Sequence, residues 1–384
     1  MTHPAPPVLF SRPYRSAREL ANLTAVLESD HVHGDGPFTT SAGGKVKAIT
    51  EAGDVLLTSS GTDALEMAAR LLDLGPGDEV ILPSFTFPSA AVSVALSGAT
   101  CVFVDVDPHT GNIDPEQVAE AVGPATRAIS VMHYGGVGVP LADLESVAEE
   151  HGLAIIEDNA HGLGGRLDGR SLGSVGRFGI QSFHDTKNVH SGEGGALLVN
   201  DRADLARAEI LREKGTNRSQ YIRGQVDKYT WVDIGSSYLI SELGSAVLDS
   251  QLDDFDTIQS LRHSVWRRYS EGLAGWADDH GVELMSPPPG AEHTAHLFYL
   301  LLPTHEQQMA LIDRLRAAGV MATFHYMPLD VSPAGERYGR RLRPLVHATS
   351  FAERLVRLPL WAGMTDEQVE RVIREVTAVG IAVG

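Results

Sequence analysis

The chain of 384 residues contains a single cysteine, Cys101. No disulfide can close within one chain, which is the pattern expected of a protein kept in a reducing cytoplasm. An excess of positive charge is also missing: 50 acidic residues stand against 31 lysines and arginines, a formal net charge of -19. That balance argues against nucleic acid or an anionic membrane as a partner, and leaves room for a local basic pocket. No apolar run reaches the roughly 18 to 20 residues that a spanning helix needs, so no membrane segment is expected. The opening MTHPAPPVLF lacks the basic segment and long apolar core of a secretory leader, and none is expected. Several signatures of chemistry are absent as well. Without HExxH or a paired CxxC, no metal site is expected. Without GxSxG, an α/β-hydrolase is disfavoured. GDGPF and YGGVG lack the order strand, GxGxxG, helix that a dinucleotide site requires.

What is present is the composition of a globular protein, 43% hydrophobic and 21% charged, in a chain long enough for a large core and two domains. From 55 to 200, short apolar runs alternate with helical segments, among them helices beginning near Thr62 and spanning 115–121. This predicts an α/β fold with a mostly parallel central sheet covered on both faces. Ligands of such sheets sit beyond the carboxyl ends of the strands. The polar clusters SSGTD, SFTFP, HYGG, EDNAHG and SFHDTK all fall at those ends. A helix is expected over 202–212 and one long helical stretch over 241–273. Beyond the PPPG turn, strands at 297–302 and 320–325 and helices at 306–318 and 366–379 suggest a smaller α+β domain. The division expected is a large domain over 1–255, with an N-terminal arm over 1–35, and a small C-terminal domain over 256–384.

The most telling stretch is FGIQSFHDTKNVHSGEGGALLVND, residues 178–201. It sets Lys187 in a polar turn between two apolar runs, followed by Gly192, Gly194 and Gly195, where the backbone can turn sharply or approach a neighbour closely. A lysine held in place by a rigid scaffold suits a nucleophile with a tuned pKa; taken alone, it reads first as a solvated loop lysine, and the rest of the chain has to support the other role. Ser60-Gly61-Thr62-Asp63 opens a helix, a natural phosphate cradle, or simply an N-cap. Asp158 ends the strand LAIIED, where a carboxylate can hold a protonated ring nitrogen or cap the next turn. His161 could bond the same ring. Phe87 could lie on the face of a planar group or belong to the core. Ser182 could donate to a phosphate.

These segments, with FVDVDP, HYMPL and RLPLW, occur in the order found in the DegT/DnrJ/EryC1/StrS family of sugar-nucleotide aminotransferases, which the chain resembles from about residue 30 to 375. The resemblance implies fold type I and pyridoxal 5'-phosphate as cofactor. It implies Lys187 as the Schiff-base lysine and Asp158 as the partner of the ring nitrogen. It further implies His161 beside the ring, Phe87 stacked on it, and Gly61, Thr62, Asp63 and Ser182 around the phosphate. GSSYLI stands where many members read GYNYRM, so Ser237 replaces an asparagine that in the family reaches the neighbouring subunit's phosphate. Asn159 also replaces a more usual small residue.

EKGTNRSQYIRGQVDKYTWVDIGSSYLISEL and FHYMPLDVSPAGERYG are similar to a branch that aminates dTDP-4-keto-6-deoxyglucose at C4 with L-glutamate as donor. In the stretch 213–232, Arg218, Arg223, Lys228, Tyr229 and Trp231 are expected to line the sugar-nucleotide site, the alternative being a solvated surface loop. Arginine would meet the diphosphate and aromatics the base or sugar. His325 and Tyr326 are expected to approach it from the small domain. A cytoplasmic homodimer with shared active sites, or a higher homo-oligomer, is expected. A 3-keto-sugar aminotransferase remains an alternative because it would share all the cofactor residues. A dehydratase on this scaffold would carry histidine at the lysine position. A regulatory pyridoxal-phosphate-binding module would need a basic DNA-binding extension.

Overall fold

The computed structural model describes residues 6–379. Residues 1–5, which open the expected N-terminal arm and leader-free start, and 380–384, which end the expected small domain, lie outside the described residues.

The main sheet has eight strands. Seven are β1 (Asp54–Thr58), β2 (Glu79–Pro83), β3 (Thr100–Val104), β4 (Thr126–Met132), β5 (Ala154–Asp158), β6 (Phe178–Ser182) and β7 (Gly195–Val199). A second, three-stranded sheet contains β8 (Glu283–Leu284) and β9 (Phe298–Leu301). The eighth strand of the main sheet is β10 (Gly339–Arg341), and β11 (Leu355–Leu358) completes the second sheet. The main sheet runs in the order β1-β7-β6-β5-β4-β2-β3-β10. Within it only β7 is antiparallel to its neighbours, β1 and β6. The central strands are buried on both faces: β7 is apolar after Gly195 and every residue in it is buried, whereas the edge strand β10 is largely exposed. This is the signature of a sheet covered by helices on either side.

The expected helices at the start of the core hold closely. Gly61–Leu71 begins where Ser60 accepts from the Asp63 amide, and Pro115–Ala121 is capped by Asp114. Two expectations are corrected. The stretch 241–273 is two helices, Glu242–Asp253 and Phe255–His280, broken at Asp254, whose ψ of 11° leaves the helical range. Residues 320–325 form no strand; Val320 makes a single bridge to Val8 and Thr323 one to Arg357. The strand β10 returns from far along the chain to pair with Cys101–Phe103 at the edge of the main sheet.

The N-terminal segment lies across the second sheet's region. Val8 exchanges backbone hydrogen bonds with Gly319 and Met321, at 2.8 and 3.0 Å. Farther on, the Tyr14 carbonyl lies 2.9 Å from His190 Nε2. A buried carboxylate, Glu242, accepts from the Gly36, Phe38 and Thr39 amides at the start of the helix Pro37–Thr50. Those groups would otherwise be orphan donors at a helix start.

Candidate active site

The carboxyl ends of β1, β5 and β6 converge on one cavity of about 570 Å³. It is closed on the other side by His296, Leu297, His325, Tyr326 and Arg357, all from beyond residue 290. That volume falls within the usual range for a small-molecule site.

The turn after β6 presents Lys187. Its amide bonds the His184 carbonyl at 2.9 Å, and the turn is closed by Phe183 N to Gly194 O at 2.8 Å and Ser191 N to Phe183 O at 2.8 Å. The close approach expected of the glycines is real at Gly195: a Cβ there would come within 2.3 Å of the Ser60 carbonyl carbon. Only glycine lets β7 press against the turn that opens the Gly61 helix. Burial pulls the Lys187 ammonium down from 10.5 to about 8, with Asp158 opposing and Arg357 assisting. Its amine is therefore far more often neutral than a surface lysine's.

Asp158 ends β5 and is 4% exposed. Burial raises its pKa, against the Ala160 amide that it accepts from at 3.1 Å and the charge of Lys187. A buried carboxylate held above its ordinary range gains from a nearby cation, which a protonated ring nitrogen would supply. Behind it, the fully buried Glu157 accepts from the Gly173, Val175 and Gly176 amides and lies 2.8 Å from His133 Nε2. These bonds fix the end of β5. Asn159 has a positional role: its Nδ2 donates to the carbonyls of Gly162 and Leu172, at 3.2 and 2.8 Å, and so shapes the turn that carries His161.

His161 is buried and accepts the Gly135 amide on Nδ1 at 3.2 Å, which leaves the proton on Nε2. It stacks on His296, with ring centres 4.0 Å apart, and lies 12° from parallel to His325 at 6.1 Å. Burial and the neighbouring cations drive all three imidazoles well below their ordinary pKa, so they are neutral. Tyr326 packs on His325 at 3.6 Å, and Tyr134 Oη lies 2.7 Å from His325 Nδ1. Phe87 is 52% exposed and borders the cavity, its ring 6.0 Å from that of Tyr326. It is not a core residue, and its face is available to a planar ligand.

At the phosphate end, Gly61, Thr62 and Ser182 line the cavity. A Cβ on Gly61 would stand 3.1 Å from the Ser182 Cβ, so glycine keeps this cradle open. Thr62 Oγ1 is 2.7 Å from Ser89 Oγ. Asp63 does not line the cavity; its side chain accepts from the Ser59 hydroxyl outside it.

The cavity thus gathers Lys187, Asp158, His161, Phe87, Gly61, Thr62, Ser182, His325 and Tyr326. It does not gather Arg218, Arg223, Lys228, Tyr229, Trp231 or Ser237. Arg218 pairs with Glu213 at 3.3 Å, and Arg223 grips Glu209 with two bonds of 2.7 and 2.6 Å. Lys228 is exposed, as are Tyr229 at 54% and Trp231 at 77%. Ser237 is exposed and bridges Glu213. Residues 213–237 follow the helix Leu205–Arg212 and contribute no lining residue to this chain's own cavity. Sequence reasoning missed Phe10, Ser89, His296 and Arg357 as cavity residues. His296 immediately precedes the strand expected at 297–302, and Arg357 lies within RLPLW, a segment that carried the resemblance without a role for this residue.

A buried lysine with a lowered pKa, a buried carboxylate and an open helix N-terminus in one cavity define a fold type I site for pyridoxal phosphate, and the residues fit that cofactor. Among solved structures, the chain is similar to the aminotransferase TlmJ from Streptoalloteichus hindustanus, at 31% identity and a TM-score of 0.89 over 97% of this chain and 98% of that one. It is similar to DesV of S. venezuelae in complex with a ketimine intermediate, at 31% identity and 0.88 over the same shares. A putative sugar aminotransferase, Spr1654 from Streptococcus pneumoniae in its PMP form, matches at 25% and 0.90, again over 97% and 98%. The chain belongs to the DegT/DnrJ/EryC1/StrS aminotransferase family, whose model matches residues 13–377. It is a pyridoxal-phosphate-dependent sugar aminotransferase. Among the described residues no group of side chains could hold a metal ion, and no helix is long and apolar enough to cross a membrane.

Proposed function

We propose that the protein moves an amino group from L-glutamate to C4 of dTDP-4-keto-6-deoxy-D-glucose, giving a dTDP-4-amino-4,6-dideoxy sugar. The observation that carries the reading is Lys187 set against Asp158 in one cavity, beside a glycine-lined helix N-terminus. The choice of sugar rests on the segments over 213–243 and 324–339, which are similar to those of dTDP-4-amino-4,6-dideoxygalactose transaminases.

When bound, pyridoxal phosphate supplies an aldehyde that condenses with amines and a ring that accepts the electron pair left when the donor's α-proton is removed. The chain's own residues do the rest. Gly61, Thr62 and Ser182 hold the phosphate, with the helix N-terminus favouring its charge. Asp158 keeps the ring nitrogen protonated. Phe87 would pack against the ring, and His161 would offer it the Nε2–H. Lys187, neutral for an appreciable fraction of the time near pH 7, takes the proton from the donor's α-carbon and returns it on the cofactor side. The same residues serve the reverse sequence on the keto-sugar, so ping-pong kinetics follow.

Arg218, Arg223, Lys228, Tyr229, Trp231 and Ser237 are proposed to serve the cavity of a second copy in a cytoplasmic homodimer, where an exposed aromatic and cationic strip would meet the nucleotide. Asp63 acts as part of the helix start rather than on the phosphate. The test is incubation of the purified protein with L-glutamate and dTDP-4-keto-6-deoxyglucose, followed by NMR of the sugar product. Amine at C4 supports the reading. No aminated product from this sugar, with amine at C3 when a 3-keto sugar nucleotide is offered in its place, overturns it.

A further inference from the structure

His296 lines the cavity beside His161. The segment that carries it, 294–296, is held from three sides. The Thr294 hydroxyl donates to the His161 carbonyl at 2.6 Å, and the Thr294 carbonyl accepts from Asn188 Nδ2 at 2.9 Å. Arg262, a buried residue of the helix Phe255–His280, donates Nε to the Ala295 carbonyl at 3.0 Å and Nη2 to the His296 carbonyl. Between these anchors Ala295 is buried with a φ of 47°, a left-handed backbone that a residue with a Cβ adopts at a cost. Such strain persists where the surroundings over-determine it, and what it delivers to the cavity here is one imidazole.

The tautomer of that imidazole is set by Asn188, the residue after Lys187. A backbone carbonyl can only accept, so the Asn188 atom beside the Thr294 carbonyl is the amide nitrogen; it also reaches Gln259 Oε1 at 2.8 Å. Oδ1 is then the atom 2.9 Å from His296 Nδ1, and Nδ1 must carry the hydrogen. Burial keeps the ring neutral, so Nε2 is a bare acceptor. Among the described residues nothing donates to it.

Only a hydrogen-bond donor can satisfy that nitrogen. An amino acid brings carboxylates, which offer lone pairs alone, and an amino group that is spent in bonding to the cofactor. A keto-sugar brings hydroxyls. His296 is one hydrogen bond from the neighbour of Lys187, where the reacting carbon must come, and Lys187 is the charge that acts most strongly on its ring. In a 4-keto-6-deoxy sugar the one hydroxyl next to that carbon is at C3.

We propose that His296, held by Asn188 as the Nδ1–H tautomer, accepts a hydrogen bond from the C3 hydroxyl of the keto-sugar through Nε2, and so selects sugars that carry this hydroxyl. This rests on the proposed 4-keto-sugar reading. Asn188 is a positioning residue that acts through His296.

The experiment uses holoenzyme in its pyridoxamine form. The sugar half-reaction is followed with dTDP-4-keto-6-deoxyglucose and with its 3-deoxy analogue. Nitrogen-15 NMR of histidine-labelled protein reads the tautomer, the His296 signals being those missing in His296→Phe. The proposal expects wild type to favour the hydroxylated sugar on the order of 10- to 100-fold in kcat/KM, because the analogue leaves a desolvated acceptor unpaired. His296→Phe keeps a ring against His161 without the acceptor. It should shrink that preference to less than about threefold, and the sugar half-reaction should lose about tenfold more than the glutamate half-reaction. His296→Gln, whose amide oxygen can stand in for Nε2, should recover part of the preference. Wild type should show Nδ1 protonated. In Asn188→Ala the signals should move toward the Nε2–H form and the preference should fall with them, which a merely structural asparagine would not cause. No preference in wild type, a preference kept in His296→Phe, equal losses in both half-reactions, an Nε2–H pattern in wild type, or an unmoved tautomer in Asn188→Ala would overturn the proposal. A wild-type protein that glutamate converts but that aminates no 4-keto sugar would overturn the sugar reading itself, and so tells the two failures apart.

Discussion

The Lys187 amine should titrate near pH 8 in the cofactor-free protein, and this can be measured through its capture of added pyridoxal phosphate. Only the neutral amine attacks an aldehyde. Burial disfavours the ammonium and sets its pKa at about 8 against an ordinary 10.5. At pH 7 about a tenth of the chains then carry a neutral Lys187, against about 1 in 3,000 for an unperturbed lysine. That is an advantage of about 300-fold, equivalent to about 3 kcal/mol. Stopped-flow capture rates should therefore climb about tenfold per pH unit below pH 7 and level off above about 8. The sign can be checked from both sides. Asp158 stabilises the ammonium, so Asp158→Asn should move the midpoint lower; Arg357 opposes it, so Arg357→Gln should move the midpoint higher. A midpoint near 10.5, or both variants shifting it the same way, would refute this account of the site's electrostatics.

Lys187→Ala should retain cofactor without a covalent bond and lose turnover by several orders of magnitude, read by ultrafiltration and a coupled glutamate assay. Gly61→Val should weaken cofactor affinity at least tenfold while the chain still folds, because the added atoms fill the space beside Ser182, where a Cβ alone already stands at 3.1 Å; fluorescence titration of the apoprotein measures it. Gly195→Ala places a Cβ within 2.3 Å of the Ser60 backbone and should cost about 1–3 kcal/mol as well as cofactor affinity, seen as a lower urea midpoint. Glu242→Ala strands the Gly36, Phe38 and Thr39 amides and should cost about 2–4 kcal/mol, read by the same unfolding curve, with the spectrum of bound cofactor unchanged.

Much of the cofactor site was legible because it is built from strand ends and one helix start, each signalled locally. Asp158 follows an apolar run, Gly61 opens a capped helix, and Lys187 sits between two strands with glycines after it. The small-domain wall was not legible in this way. Arg357 sits inside RLPLW, a mostly apolar segment with no local mark of a site, and only folding brings the residue to the cavity wall. His296 becomes meaningful only through its stacking on His161, 135 residues earlier in the chain. The strand Gly339–Arg341 is short and polar, so it has no period to read; pairing with Cys101–Phe103 creates it. The reverse error arose at 320–325. VMATFHY has the composition of a strand, but its neighbours offer only single bridges from Val8 and Arg357. The break at Asp254 carries neither glycine nor proline, and the helical periods on its two sides join without a visible seam.

The chain has five lysines, at 45, 47, 187, 214 and 228, which makes the most direct test a simple one. Holoenzyme is reduced with borohydride, digested, and the peptides are mapped by mass spectrometry. The account predicts a single pyridoxyl adduct, on Lys187, abolished by prior treatment with L-glutamate. An adduct on any of the other four, or none on a protein saturated with cofactor, would contradict it.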